Sequence, residues 1–223
     1  MSDRVRVKNR LKAIYRGRGI SCEGEAVYQR KQRRRWLGEL TESGVRQRAE
    51  SLYQELESLE LLVLAARKQL LRESRKQKAT RLLRQMPTLG AIWAALIVAT
   101  VDTPHRFRTK RQFWAYCGLA VVTRSSADYC FDKKGELRKS RRPVATRGLN
   151  QNYNRRLKRI FKGAALVGSL KEPFKPYYTQ LLAKGLRPEL ARLTLARKIA
   201  AITLAVWKKG EQFDPEKLTK LAT

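Results

Sequence analysis

The chain has 223 residues, 43% of them hydrophobic, with Lys+Arg 50 against Asp+Glu 19 for a formal net charge of +31. That length and apolar content suffice for one domain with an extension or for two small domains, and a charge so one-sided repels itself unless a polyanion neutralises it. DNA or RNA is therefore the expected partner, and a membrane is not, because the longest apolar run, Ala91 to Val101, falls well short of the roughly 20 residues needed to span a bilayer.

Residues 1–38 are basic and read as mostly helical. Val5, Leu11 and Ile14 lie on an arginine-rich helix that stops at the glycines of "YRGRGI". The stretch "YQRKQRRRW" follows, and its Arg33, Arg34 and Arg35 are candidates for phosphate contact or for stacking on bases. From about 43 to 84 the pattern predicts one long helix. Val45, Ala49, Leu52, Leu56, Leu59, Val63, Ala66 and Leu70 alternate spacings of four and three, the signature of a coiled-coil seam and of self-association into a homo-oligomer. The seam ends at Glu73 and Gln77, where the basic run "RESRKQKATR" begins.

Residues 85–223 read as a compact helical domain. Pro87 and Gly90 open a helix over 91–100. Thr109 starts a second, ended by Gly118. Residues 119–149 predict an irregular segment with a short hairpin near 128–138. Asn150 or Asn152 is expected to cap a helix running to about Val167. A shorter helix closes at Gly185. The last runs from Pro188 to Lys209, with Leu190, Leu193, Ile199, Ile202 and Val206 on its apolar side and lysines and glycine at its end. The fold class expected is mainly α: a long coiled-coil helix, then a compact helical domain with a helix-hairpin-helix-like turn and a short irregular or hairpin insertion. The domains expected are a basic arm with coiled coil over 1–84 and a C-terminal domain over 85–223.

Several chemistries drop out. Cys22, Cys117 and Cys130 are odd in number and widely spaced, which suits free thiols in a reducing, cytoplasmic compartment. The N-terminal "MSDRVRVKNRLK" has no apolar stretch of the secretory kind. With His105 as the single histidine, neither a zinc site nor a Ser-His-Asp triad is expected, and no metal ligands are assigned.

Two features carry the functional reading. "LLRQMPTLGAIWAALI" resembles a helix-hairpin-helix turn, in which Thr88 and Gly90 would present backbone N–H groups to a phosphate without reading sequence. Between Arg124 and Lys162 the chain is dense in Lys and Arg, opposed only by Asp128, Asp132 and Glu136. Arg138, Lys139, Arg141, Arg142, Arg147, Arg155, Arg156 and Arg159 form the expected nucleic-acid surface, the 155/159 pair sharing a helix face. Ser125 and Ser126 follow Arg124 directly. A serine hydroxyl needs activation to act as a nucleophile, and arginines are suited to the charge that builds on a phosphodiester under attack.

The ordered blocks "MPTLGAIWAALI", "FRTKRQFWAYCGLAVVTRSSADY", "RPVATRGLNQNYNRRLKRIFKGAA" and "LARKIAAITLAVWKKGEQFD" resemble the C-terminal domain of bacterial insertion-sequence transposases of the one-ten/one-sixteen/nine-oh-two family, over roughly Leu82 to Asp214. The resemblance implies a DNA recombinase with a RuvC-like half bearing four acidic metal ligands, a coiled coil, and a C-terminal domain with a nucleophilic serine. It also implies, for some members, a structured guide RNA. Carried across, the family serine is Ser126, with Ser125 beside it and Arg124 among its surroundings. Val121 stands where the family has proline, and Ala127 where it has glycine. No stretch resembling the RuvC-like half is found, so the Mg2+ ligands are expected in a missing half, and the expected function is that of an N-terminally truncated transposase, inactive alone. The alternative is a non-catalytic, nucleic-acid-binding remnant of such an enzyme.

Overall fold

The computed structural model describes residues 3–124, 129–139 and 146–216. It is mainly helical, and the chain divides into two compact units, 1–70 and 71–223.

In the first unit, α1 (Asp3–Arg16) buries Val7, Leu11, Ile14 and Tyr15, which recur at helical spacing on one face. Val5, read from the sequence as part of that face, is exposed, and Val7 takes its place. Two single 3-10 turns, Ala26–Tyr28 and Arg30–Gln32, lead to α2 (Arg33–Gly38) and then to α3 (Ser43–Ser74). Tyr15, Val27, Leu40, Ala49 and Tyr53 close the core. Two phenols form a chain inside it. The Tyr53 hydroxyl donates to the Val27 carbonyl at 2.9 Å, so the Tyr15 hydroxyl, 3.1 Å away, is the donor to Tyr53. Both bonds satisfy groups that burial would otherwise penalise.

The heptad seam is divided by this packing. Ala49 and Leu56 are buried within the first unit, together with Tyr53 from beside the seam; of the later seam positions Val63 and Leu70 are half-buried and Ala66 is exposed, while the exposed Leu61 and Leu62 lie beside the seam. The helix is also shorter than the 43–84 span expected. It stops at Ser74, whose hydroxyl turns back to the Leu71 carbonyl, and Gln77 is extended before α4 (Lys78–Leu83) begins.

In the second unit, α4 contributes the fully buried Leu83. α5 (Ala91–Val101) packs on α4, and α6 (Lys110–Tyr116), α7 (Arg155–Gly168) and α8 (Lys175–Ala183) join α4 in packing on α9 (Pro188–Lys209). Phe113, Leu119, Phe161, Phe174, Leu195 and Ile199 lie at the centre of the core. α6 starts in a full capping box, with Thr109 and Gln112 bonding reciprocally. α9 starts at a proline and ends at Gly210 in the left-handed conformation. α7 is capped by Asn154, whose side chain accepts from the Arg156 and Leu157 amides, rather than by Asn150 or Asn152. Leu190, expected on the apolar side of α9, is exposed.

The expected hairpin is present as β2 (Tyr129–Phe131) paired with β3 (Leu137–Lys139). A second antiparallel pair frames it: β1 (Val121–Arg124) with β4 (Thr146–Leu149), in register Val121 with Leu149 and Arg124 with Thr146.

Candidate functional site

The segment that carries the two serines springs from a pinned root. Where α6 ends, Gly118 has φ +67° and lies so near Tyr153 that a Cβ there would stand 2.5 Å from its ring; only glycine meets both conditions. The Leu119 and Ala120 amides both donate to the Trp114 carbonyl, at 2.8 and 3.2 Å. Arg197, from α9, donates Nε–H to the Leu119 carbonyl at 2.6 Å, and the Trp114 indole N–H donates back to the Arg197 carbonyl at 2.9 Å. From the other side, the Asn150 amide donates to the Ala120 carbonyl, and the Asn154 amide to that of Tyr116. The Asn150 side chain donates to the carbonyls of Ala115 and Asn152. Strand β1 therefore leaves the helical core from a fixed base with β4 beside it.

The strand runs to Arg124. Ser125, Ser126, Arg141 and Arg142 lie outside the described residues, and for Arg124, Lys139 and Arg147 only the backbone is described, in β1, β3 and β4. Beyond them, the β2–β3 turn is organised by Asp132, whose Oδ1 accepts from the amides of Lys134 and Glu136. Arg138 pairs with Asp132 at 2.9 Å and with Glu136 at 3.4 Å. These exposed pairs are weak, so a phosphate can compete for the guanidinium.

Beside the root of β1, helix α7 presents Arg155, Arg156, Arg159 and Lys162 to solvent. Lys158 turns back over the Tyr153 ring, 4.0 Å from its centre. Leu157, Ile160, Phe161 and Ala164 on the opposite face are buried, so the cations are displayed by a helix whose other side is locked in the core. A cavity of about 830 Å³ lies along this face, between α7 and the first turns of α9.

The remaining sequence candidates divide. Of the Arg33–Arg35 run, Arg34 and Arg35 are exposed. Arg33 turns inward, 3.3 Å from Glu57 and 4.8 Å from the centre of the Tyr53 ring, where it braces the first unit. Gly90 is the exposed N-cap of α5. Thr88 is buried, its hydroxyl has no partner, and its methyl lies near Gly168. Arg197 was not singled out by sequence; it lies inside the "LARKIAAI" block, and only the tertiary contact reveals its task. Burial lowers its readiness to hold a proton, and burial with the nearby charge of Lys110 does the same for Lys198.

Among the described residues, no three His, Cys, Asp or Glu side chains come together. The described residues do not fit the Mg2+ site that the family resemblance assigns to a RuvC-like half. No helix among them is long and apolar enough to cross a membrane.

Residues 80–179 match the model of the Transposase IS116/IS110/IS902 family. No curated protein matches the chain. The matched stretch runs from α4 through the β1–β4 segment to α8, so the pinned strand and the cationic helix both lie within the part of the chain that is similar to that family.

Proposed function

We propose that the chain works as the serine-bearing, DNA-binding part of an insertion-sequence transposase, with Ser126 as the nucleophile. The observation that carries this reading is strand β1, whose root is anchored by Arg197, Trp114 and Asn150, beside a helix displaying Arg155, Arg156 and Arg159, within the matched stretch; Ser125 and Ser126 follow it in the sequence. DNA lies against the cations of α7, which position its phosphates without reading base sequence. The Ser126 hydroxyl attacks one phosphorus. As the Oγ–P bond forms, the hydroxyl gives up its proton and the bond from phosphorus to one deoxyribose oxygen breaks. That oxygen leaves and takes a proton. One phosphodiester is exchanged for another, and attack by a second strand's hydroxyl reverses the sequence. Arg124 and neighbouring guanidinium groups take up charge on the phosphoryl oxygens.

A structured guide RNA is a second polyanion suited to the same +31 chain. Self-association uses the later part of the α3 seam. The reaction is completed with a partner half that supplies Mg2+ ligands, in the cytoplasm.

The test is a covalent trap. The chain is mixed with suicide DNA, with and without a RuvC-like partner. A protein–DNA adduct that survives Ser125→Ala and vanishes in Ser126→Ala supports the mechanism. No adduct under either condition, with duplex binding intact, favours a non-catalytic remnant.

A further inference from the structure

The cavity beside α7 is not built like a surface for duplex phosphates alone. Its rim is cationic: Arg155, Lys158, Arg159 and Lys162 from α7, and Arg192 from α9, opposed by Glu189. The rest of its lining is largely apolar. Leu149, Leu166, Leu190 and Leu193 form it, beside Gly163 and Tyr153. Leu166 and Leu190 are each 53% exposed, on helices whose other faces are fully packed. A duplex offers a rigid cylinder of phosphates with its bases stacked inside, and it gains nothing from two exposed leucines lining a concavity. An unpaired nucleotide carries both parts together: a flat base with apolar faces and a phosphate one sugar away.

We propose that this groove holds an unpaired nucleotide, with the base against Leu166 and Leu190 and the flanking phosphates on Arg155, Arg159 and Arg192. The volume of about 830 Å³ falls within the roughly 300–1,000 Å³ usual for pockets that enclose a small ligand. Charge selects the occupant. A second copy of this chain is the rival for an apolar groove, but its exposed α3 leucines are followed by Arg67, Lys68, Arg72, Arg75 and Lys76, which the cationic rim repels. Single-stranded DNA and single-stranded RNA share the required chemistry.

The inference deepens the transposase reading and rests on it. The position of the groove matters: Leu149 closes β4 and Tyr153 backs Gly118, so a nucleotide held here lies at the base of the strand pair that leads toward Ser126.

The experiment measures anisotropy at fixed salt for three probes of one sequence: single-stranded DNA, single-stranded RNA and duplex DNA. Each carries 5-iodouracil or 5-iodouridine for photocrosslinking. The intact chain is compared with a Leu166→Ala/Leu190→Ala variant, whose folding is checked by its melting temperature. The expected result is a loss of about tenfold in single-strand affinity, unchanged duplex affinity, and single-strand crosslinks within residues 149–193 that the variant loses. A larger loss for DNA than for RNA, or the reverse, identifies the source of the strand. Equal losses for all three probes, no loss for any, or crosslinks confined elsewhere would overturn the groove assignment while leaving duplex binding standing. Failure of the intact chain to bind duplex at all would instead remove the underlying transposase reading. A second readout covers misfolding: Leu190→Met keeps an apolar lining and should retain single-strand binding where Leu190→Asn loses it.

Discussion

Arg197 donates its Nε–H to the carbonyl of Leu119 at 2.6 Å, tying the middle of α9 to the residue that leads into β1. The carbonyl of Arg197 in turn accepts from the Trp114 indole, so one residue joins α6, α9 and the strand root. Arg197→Met removes a charged hydrogen bond and leaves the Leu119 carbonyl unpaired. Such bonds contribute about 1.5–3 kcal/mol, and for a unit of this size the melting temperature should fall by roughly 3–12 °C. Amide exchange of residues 119–121 should accelerate with it. An unchanged melting temperature and unchanged exchange would show that β1 is held by other contacts.

Three glycine-to-alanine substitutions separate backbone strain from crowding. Gly118 combines a positive φ with a Cβ position 2.5 Å from Tyr153, whereas Gly135 has φ +76° in open space and Gly90 has both room and an ordinary φ. Gly118→Ala is expected to cost roughly 2–5 kcal/mol, from the left-handed backbone together with overpacking. Gly135→Ala should cost about 1–2 kcal/mol from backbone alone. Gly90→Ala should leave stability within about 1 kcal/mol. Denaturant midpoints check the order, and equal costs at 118 and 135 would contradict the Tyr153 contact.

The arginines should likewise separate by task. Arg155→Gln/Arg159→Gln removes two exposed cations of α7. It should weaken duplex DNA binding and shallow the dependence of log affinity on log salt by about 1.8, or 0.9 for each phosphate that is no longer neutralised. Arg33→Gln should instead lower the stability of the first unit, since it breaks the pairing with Glu57 and the stacking on Tyr53, and leave the salt slope unchanged. A salt titration by fluorescence anisotropy, paired with thermal melts, decides this. Identical slopes in the Arg155→Gln/Arg159→Gln variant and the intact chain would move the DNA surface away from α7.

What the residues disclosed by themselves was local. The termini of α6 and α9 were legible because Thr109, Gln112, Pro188 and Gly210 act within a turn of their own position. The β2–β3 hairpin was legible from the turn around Gly135. The β1–β4 pair was not, because Val121 finds Leu149 across an insertion, and no spacing rule reaches that far. Arg33, Arg34 and Arg35 are identical in sequence context; only the proximity of Glu57 and Tyr53 turns the first inward. Asn154 takes the cap expected of Asn150 or Asn152, and the Asn150 side chain is instead occupied with the carbonyls of Ala115 and Asn152. Leu190 follows the helical period yet stays exposed, because α9 there borders the groove instead of the core. The pairing of Ser126 with guanidinium groups rests on resemblance and chemistry, and its test is the covalent trap.

The seam of α3 supports a prediction with opposite outcomes at its two ends. Ala49 is fully buried in the first unit, so Ala49→Asp buries an unpaired charge and should unfold that unit. Val63 and Leu70, on the later part of the seam, are half-buried. Val63→Asp/Leu70→Asp should keep the melting temperature of the monomer while abolishing concentration-dependent self-association in sedimentation. Should the intact chain sediment as a monomer at every concentration tested, the homo-oligomer proposal is lost.

The buried phenol pair gives the first unit a defined alkaline limit. Burial raises the pKa of Tyr15 and Tyr53 above the ordinary 10.0, by disfavouring the phenolate. In the unfolded chain both titrate near 10.0. Above that pH the unfolded state has released protons that the folded state still holds, so stability is fully present below pH 10 and falls as pH rises beyond it. Tyr53→Phe removes the donor to the Val27 carbonyl and the acceptor for Tyr15. At neutral pH it should cost about 1–3 kcal/mol, and it should also flatten the alkaline decline, since one of the two titrating phenols is gone. Urea midpoints of the intact chain and the variant at pH 8 and pH 10.5 test both effects; parallel declines in the two proteins would place the alkaline sensitivity elsewhere.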